Sequence, residues 1–558
     1  TEESRIANQI KLKKPILAII GNPPYAGISS NKGKWIDDLL KKGYTRADGS
    51  KDDGYYMVDG EALGEKKVWL QDDYVKFIRF AQWKIDKNGE GIVGFVTNHS
   101  YLDNPTFRGM RESLLQSFDR IYVLNLHGNA KKKEKCPDGS KDENVFDIQQ
   151  GVAISLFIKN NNFKDKKIFY ADLWGLREDK YKWLDRHTVT NVEWQEIEPV
   201  SPCYFFVPRD TSFQKEYENY WKITEIFQAN VTGIITARDK FVIDFDKNSL
   251  KSRITEFRNL KIPDEVIRQK FDLKENYMWR ISKARKELST VTDWEKYFEK
   301  ILYRPFDVRE IYFHDSVVWR TRKKVMQHMI KENVGMYTCR QLSSTGWRHI
   351  LVTNGITDDC YVSNKTRERG YLFPLYLYFN SNKKPNLNPE FLEFIKEKYS
   401  MELSPEEIFY YIYAVLHSPT YRKKYEEFLQ YDFPRIPFVD DYEKFKQLSE
   451  LGKELVDLHL MKKKLPVHTK FDVQGSNVVE KVRYEGYKVF INDAQYFDGV
   501  PSEVWNFHIG GYQVLDKWLK SRKNRKLGGK DIEHFLQIVE IIKQTIEIMN
   551  KIDKFGEF

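Results

Sequence analysis

The 558-residue chain reads as α/β in its first 200 residues, with a doubly wound sheet, and as mixed α+β over 201–558, helix-rich from about 400. Three features lead there. Residues 16–20, Ile-Leu-Ala-Ile-Ile, are a continuous β-branched apolar run, as expected of a parallel strand buried on both faces. Strand-like and helix-like stretches then alternate to about residue 173, the order of a doubly wound sheet. Past residue 200 the alternation becomes irregular and the strand candidates short, until helical spacing takes over.

Taken in order, the first strand stops abruptly at Gly21-Asn22-Pro23-Pro24-Tyr25, because proline lacks an N–H and fixes φ. Residues 29–64, rich in Gly, Lys, Asp and Tyr, have two open readings: a cover over a bound nucleotide, or a disordered surface insertion. Asp72 and Asp73 begin a helix that carries Tyr74, Ile78, Ala81 and Ile85 on one face. Gly89 and Gly91 turn the chain into a strand over 92–97. Asn104 as N-cap and Pro105 at the first helical position open a helix to about Phe118. A strand at 120–126 leads to a charged excursion at 129–144, expected to be a mobile, solvated surface loop. Strands at 152–158 and 167–173 follow. In the helical part, Ser404-Pro405-Glu406-Glu407 is a helix start, and Ser418-Pro419 separates that helix from another over 420–430. The last helix, 530–554, places Ile532, Phe535, Val539, Ile542, Ile546 and Met549 on one stripe.

Asn22-Pro23-Pro24-Tyr25 stands at the carboxyl end of its strand, where open α/β sheets bind their ligands. An exocyclic amine conjugated to a ring is a poor nucleophile, because its lone pair is delocalised. The Asn22 side-chain oxygen and a main-chain carbonyl held by the Pro-Pro turn are two acceptors for one NH₂ group. Together they draw the nitrogen toward a tetrahedral shape and free its lone pair. Tyr25 offers a flat face for a flipped-out base. No step of this chemistry requires a metal, and no metal site is expected.

Composition points to a cytoplasmic protein of two to four domains, with no apolar run long enough to span a membrane. Cys136, Cys203, Cys339 and Cys360 lack metal-ligand spacing and read as reduced thiols. A net charge of +10 is compatible with a DNA-binding face. Basic residues interleave with aromatics at 304–309, 319–324, 340–348 and 361–371, the pairing that suits phosphate contacts and base-edge readout. Arg304, Arg309, Arg320, Arg322, Arg340 and Arg348 are the candidate DNA contacts. The chain has no G-x-x-x-x-G-K-[ST], H-E-x-x-H or G-x-S-x-G motif, so it encodes no ATP-driven motor and none of those hydrolytic centres.

Asn22-Pro23-Pro24-Tyr25 resembles the catalytic motif of the amino-methyltransferases that act on adenine N6 in DNA. Residues 69–83, 91–102, 145–154, 413–421, 432–438 and 509–519 extend the likeness over most of the chain. Together they are similar to the methyltransferase and target-recognition portions of single-polypeptide restriction–modification enzymes of the Type ISP and Type IIG kind. The resemblance implies a partial doubly wound methyltransferase sheet followed by a target-recognition domain. It implies base flipping of adenine in double-stranded DNA and methylation of N6 with S-adenosyl-L-methionine. It assigns catalysis to Asn22, Pro23, Pro24 and Tyr25, and offers Phe146 as a second face against the flipped base. Asn98, His99 and Ser100 end a strand on the same side. In this family a glycine-rich loop upstream of the catalytic motif cradles the cofactor, and the 21 residues before Asn22 are too few for a βαβ unit. An upstream domain or subunit is therefore expected to carry that loop and any nuclease or helicase. Two other readings remain: a non-catalytic DNA-specificity module, and a methyltransferase acting on RNA or protein.

Overall fold

The computed structural model describes residues 2–13, 15–25, Gly27, 29–64, 68–131, 134–365, 368–379, 382–555 and Phe558. The chain divides into two compact units between Asp210 and Thr211.

The strands of the first unit are β1 (Ala18–Gly21), β2 (Gly91–Asn98), β3 (Arg120–His127), β4 (Val152–Lys159), β5 (Lys167–Asp172) and β6 (Gln195–Ile197). They form one mixed sheet in the order β1-β2-β4-β3-β5-β6. β1 runs parallel to β2, with Ala18 opposite Ile92 and Gly21 opposite Phe95. β4 is antiparallel to both β2 and β3. Among the helices that accompany the sheet are α1 (Lys34–Lys42), α2 (Asp73–Asn88), α3 (Arg108–Ser117) and α4 (Arg177–Leu184). Tyr74, Val75, Ile78, Ala81 and Ile85 of α2, with Met110 and Leu114 of α3, pack on Val93, Phe95, Ile121, Val123 and Phe157. Gly89 ends α2 in the left-handed region at φ 83°, where its N–H bonds to the Ile85 carbonyl. Trp183 and Leu184 of α4 pack in a separate cluster with Leu124, Leu126, Val145 and Val152.

Three expectations for this unit are corrected. The first strand is not buried on both faces. β1 is an edge strand whose residues alternate between exposed and half-buried, and Ile20 is 88% exposed. Its apolar run lacks a second neighbouring strand among the described residues, so continuity in sequence does not become burial. Residues 29–64 are not a disordered insertion: they fold into α1 and two short hairpins. Asp52 anchors them as a fully buried carboxylate held by Arg46 at 3.0 Å, by Ser113 Oγ at 2.6 Å and by Arg79. Asp86 continues the network to Arg46 at 3.3 Å and Lys159 at 2.8 Å. Burial raises the Asp52 carboxyl, and the Arg79 guanidinium, the Ser113 hydroxyl and Arg46 together outweigh it, leaving Asp52 below the usual carboxylate range. The 129–144 excursion is anchored as well. Lys180 pairs with Asp142 at 2.7 Å with both side chains fully buried, and Asp142 accepts the Gly128 N–H at 2.7 Å. Lys132 and Lys133 of that stretch lie outside the described residues.

In the second unit, short strands assemble two four-stranded sheets. One takes β7 (Val231–Thr232), β11 (Gly335–Cys339), β12 (Ile350–Thr353) and β14 (Gly370–Pro374), in the order β7-β14-β11-β12. The other takes β8 (Ile243–Asp244), β9 (Phe298–Arg304), β10 (Asp307–Tyr312) and β13 (Ile356–Thr357), in the order β8-β10-β9-β13. The helical part holds α5 (Pro405–Val415), α6 (Tyr442–His459) and α7 (Gly529–Phe555). Ser404 caps α5 reciprocally: its Oγ accepts the Glu407 N–H at 3.2 Å, and Glu407 accepts the Ser404 N–H at 2.9 Å. α7 buries Phe535, Ile538, Val539, Ile541, Ile542, Ile548 and Ile552, while Ile532, Ile546 and Met549 are only half-buried. Its buried arc is thus rotated from the expected stripe, because Thr545 faces α6, where its hydroxyl meets His459 Nε2 at 3.0 Å. A three-stranded antiparallel meander at 483–498 interrupts this helical part.

Candidate functional site

Parallel pairing with β2 sets the carboxyl end of β1 beside Phe95 and Val96, and the Pro-Pro turn leaves Asn22 exposed there. Gly21 packs closely here: a Cβ on it would stand 3.2 Å from the Phe95 ring. Pro23 is buried and fixes the turn, whereas Pro24 is exposed. The Tyr25 hydroxyl lies 2.8 Å from Asn22 Oδ1 and 3.2 Å from the Val96 carbonyl. Its single proton serves either acceptor, so Tyr25 ties the Asn22 carboxamide to the end of β2. The ring is half-buried and meets Tyr74 edge-on, with centroids 6.4 Å apart. Burial pushes the Tyr25 phenol up to about 12, so it stays a neutral donor at working pH. Asn22 Oδ1 retains a second lone pair for an incoming amine.

Antiparallel β4 begins where β2 ends, with Val152 opposite Asn98, so the segment that leads into β4 lies at the same end of the sheet. Phe146 lies in that segment, half-buried, its N–H donating to Asn144 Oδ1 at 2.8 Å and its carbonyl accepting from Arg177 at 2.9 Å. Asn98 turns its side chain back on the Ser100 N–H at 2.9 Å. His99 joins a buried polar cluster with Asn125 and Asn129. That cluster draws on residues some thirty positions apart, a separation no local sequence pattern signals.

The six arginines of the second unit separate into three groups. Arg304 is committed to Asp358 at 2.7 Å, and Arg309 to Asp307 at 2.7 Å between the rings of Phe245 and Tyr303. Arg340 is exposed and pairs with Asp432 at 3.0 Å, and Arg348 is exposed. Arg320 and Arg322 line a pocket of about 410 Å³ with Val231, Asp315, Trp319, Lys323 and Lys324. Four cations thus face one carboxylate, and Asp315 already accepts the Thr321 hydroxyl at 2.5 Å. Burial lowers the Arg322 guanidinium, and the like charges of Arg320 and Arg369 lower it further. Arg322 also holds the left-handed conformation at φ 55°, just before the short helix Lys323–Met326. Positive charge is thus crowded on a strained turn. Nearby, fully buried Glu368 accepts bonds from Ser343, Ser344, Ser363 and His349, and so fixes the loops beside Arg340 and Arg348. Thr366 and Arg367, in the 361–371 cluster, lie outside the described residues.

Among the described residues no helix is long and apolar enough to cross a membrane. Comparison with curated proteins gives no match. Among solved structures, the chain is similar to the DrdV–DNA complex determined by cryo-EM, with TM-score 0.74 and 23% identity over 99% of this chain. It is also similar to a nuclease-deletion mutant of the Type ISP restriction–modification enzyme LlaGI with a DNA substrate mimic, at TM-score 0.71 and 21% identity over 98% of this chain. The ATP-dependent Type ISP restriction–modification enzyme LlaBIII bound to DNA gives TM-score 0.73 and 22% identity over 99% of this chain. These likenesses are of fold, and the chain spans 58%, 45% and 38% of those three proteins respectively. Residues 225–551 match the model of the Type ISP C-terminal specificity domain, and the chain belongs to that family.

Proposed function

We propose that this chain is the base-acceptor and target-recognition portion of a sequence-specific DNA adenine-N6 methyltransferase within a restriction–modification enzyme. The observation that carries the reading is the Asn22 carboxamide, exposed at the carboxyl end of a parallel strand and held by Tyr25 at 2.8 Å. Asn22 Oδ1 and the carbonyl of Pro23 accept the two N6 hydrogens of a flipped adenine. That holds the nitrogen lone pair out of conjugation with the ring. Tyr25 stacks on the base and replaces the neighbours lost on flipping. The amine proton leaves only after the new N–C bond forms, so no strong base is required beside Asn22. S-adenosyl-L-methionine, when bound, supplies an electrophilic methyl group. The described residues contain no glycine-rich strand-to-helix turn beside β1, so they fit the acceptor base and not the methyl donor. The donor site then belongs to a further segment or subunit, a reading supported by the uncovered edge strand with Ile20 88% exposed.

In the second unit, Arg320, Arg322, Lys323 and Lys324 take DNA phosphates and base edges. The DNA-bound states of the three similar structures support DNA as the partner. The test is Asn22→Ala in the complete enzyme. Methylation should fall by at least about 100-fold, as for loss of one transition-state hydrogen-bonding group, with duplex affinity retained. Wild-type turnover by this variant would overturn the role of Asn22.

A further inference from the structure

We propose that His99, His127 and Glu134 form a binding site for a divalent metal ion of the zinc class, at the carboxyl end of β3 where it passes into the 129–144 loop. One candidate ligand atom from each of the three lies within 4.8 Å of the other two. Both histidines are buried, at 5% and 7% exposure, and Glu134 is half-buried. Two neutral imidazoles and one carboxylate match the donor set of three-ligand zinc sites, with a further position left for oxygen.

The outer partners of the two imidazoles set this cluster apart from a chance gathering of polar groups. His99 Nδ1 meets Asn125 Oδ1 at 3.1 Å, which directs Nε2 inward. His127 Nε2 meets Asp172 Oδ1 at 2.6 Å, which leaves Nδ1 for the cluster. These partners are themselves joined: Asn125 donates to the Tyr170 hydroxyl at 3.0 Å, and Tyr170 donates to Asp172. A single chain, Asn125–Tyr170–Asp172, therefore fixes the ring orientation and tautomer of both histidines. Histidines that bind metals are characteristically held this way on the outer nitrogen. The backbone supports the arrangement too. His127 sits at a register shift against β4 with φ 53°, and its ring stacks on Trp174 at 3.3 Å. Gly151 leaves room for His99, because a Cβ there would come within 2.2 Å of the imidazole.

Asn129 completes the inner side. Its Nδ2 stands 3.2 Å from His99 Nε2, and its backbone N–H donates to Glu134 Oε2 at 2.8 Å. A half-turn of that carboxamide presents Oδ1 as a fourth, neutral ligand. The role is structural: the ion ties the loop that ends at Phe146 to the ends of β2 and β3. The site is independent of the methyltransferase reading, and no proton or electron is moved at it.

The test is zinc chloride titrated calorimetrically into the full chain after chelator treatment, alongside His127→Gln, Glu134→Gln, Asp172→Asn and His468→Gln. One-to-one saturable binding is expected in the wild type. It should weaken at least about 10-fold in the two ligand variants and about 10-fold or more in Asp172→Asn. His468 is 76% exposed and outside the cluster, so its variant should bind as the wild type does. Glu134→Gln alters a half-buried loop side chain and keeps its shape, so that variant decides the matter if the histidine variant fails to fold. Zinc should also slow amide exchange over 134–144 in the wild type and not in Glu134→Gln. Absence of saturable binding, or equal affinity in wild type and Glu134→Gln, would overturn the site.

Discussion

Arg79 in the first unit and Arg322 in the second are both arginines drawn out of bulk water, and they are treated in opposite ways. Arg79 is fully buried and pairs with Asp52, donates to Gln82 Oε1 at 3.0 Å and to the Leu39 carbonyl at 3.0 Å, and lies over the Tyr44 and Tyr55 rings. Arg322 is half-buried beside Arg320, Lys323 and Lys324, with Asp315 the one acid lining their pocket. A buried cation with a complete set of acceptors is a fastening, whereas cations that outnumber the acids lining their pocket suit the proposed contact with DNA phosphates. Arg304 and Arg309 belong to the first kind although they lie in the second unit. The contrast is therefore between local environments, and the unit in which an arginine sits does not decide its role.

The strongest challenge to the contrast is Arg79→Met. This change leaves the Asp52 carboxylate buried with Arg46 as its one remaining cation. Stability of the first unit should drop by about 3–5 kcal/mol, the usual result of removing one partner from a buried pair. Native-state hydrogen exchange over 73–117 reads this directly in the full chain. A loss under about 1 kcal/mol would mean that the network is not the fastening described.

A smaller effect, of the opposite character, is expected for Arg322→Ala. Exchange protection should stay within about 0.5 kcal/mol of wild type, since no carboxylate is orphaned. Duplex DNA affinity should fall by about 1–3 kcal/mol, and the dependence of affinity on salt should become shallower. Titration of a labelled duplex at several salt concentrations measures both. If Arg322→Ala lowers stability and leaves affinity unchanged, Arg322 is a fastening like Arg79 and the distinction fails.

This same distinction explains how much was legible in the sequence. Contiguous signals survived. Asn104 caps its turn by accepting the Thr106 N–H at 3.1 Å, and Gly89 closes α2. The helix start at Ser404 formed with Ser404 as its N-cap, and Asn22 stands exposed at the end of its strand. Signals that depend on distant partners did not survive. Nothing local to Arg304 announces Asp358, and nothing local to residues 29–64 announces Arg79. His99, His127 and Glu134 lack the short repeat by which a metal site is recognised, because sheet pairing and a strand irregularity bring them together. β1 failed for another reason: strand pattern predicts apolar continuity, but burial depends on what lies beside the strand.

Tyr25→Phe gives the smallest effect and probes the middle ground, a neutral polar pair at a half-exposed site. The phenylalanine ring keeps the edge contact with Tyr74 and the face proposed for base stacking, and loses only the hydroxyl shared between Asn22 Oδ1 and the Val96 carbonyl. That bond is worth about 0.5–1.5 kcal/mol net, so single-turnover methylation by the complete enzyme should slow by about 2–10-fold. The slowing should be insensitive to pH through neutrality, because the wild-type phenol, at about 12, is uncharged throughout. A loss as deep as that of Asn22→Ala would place the hydroxyl in the chemistry itself. No loss at all would show that the Pro-Pro turn orients Asn22 unaided, leaving the tyrosine only its ring.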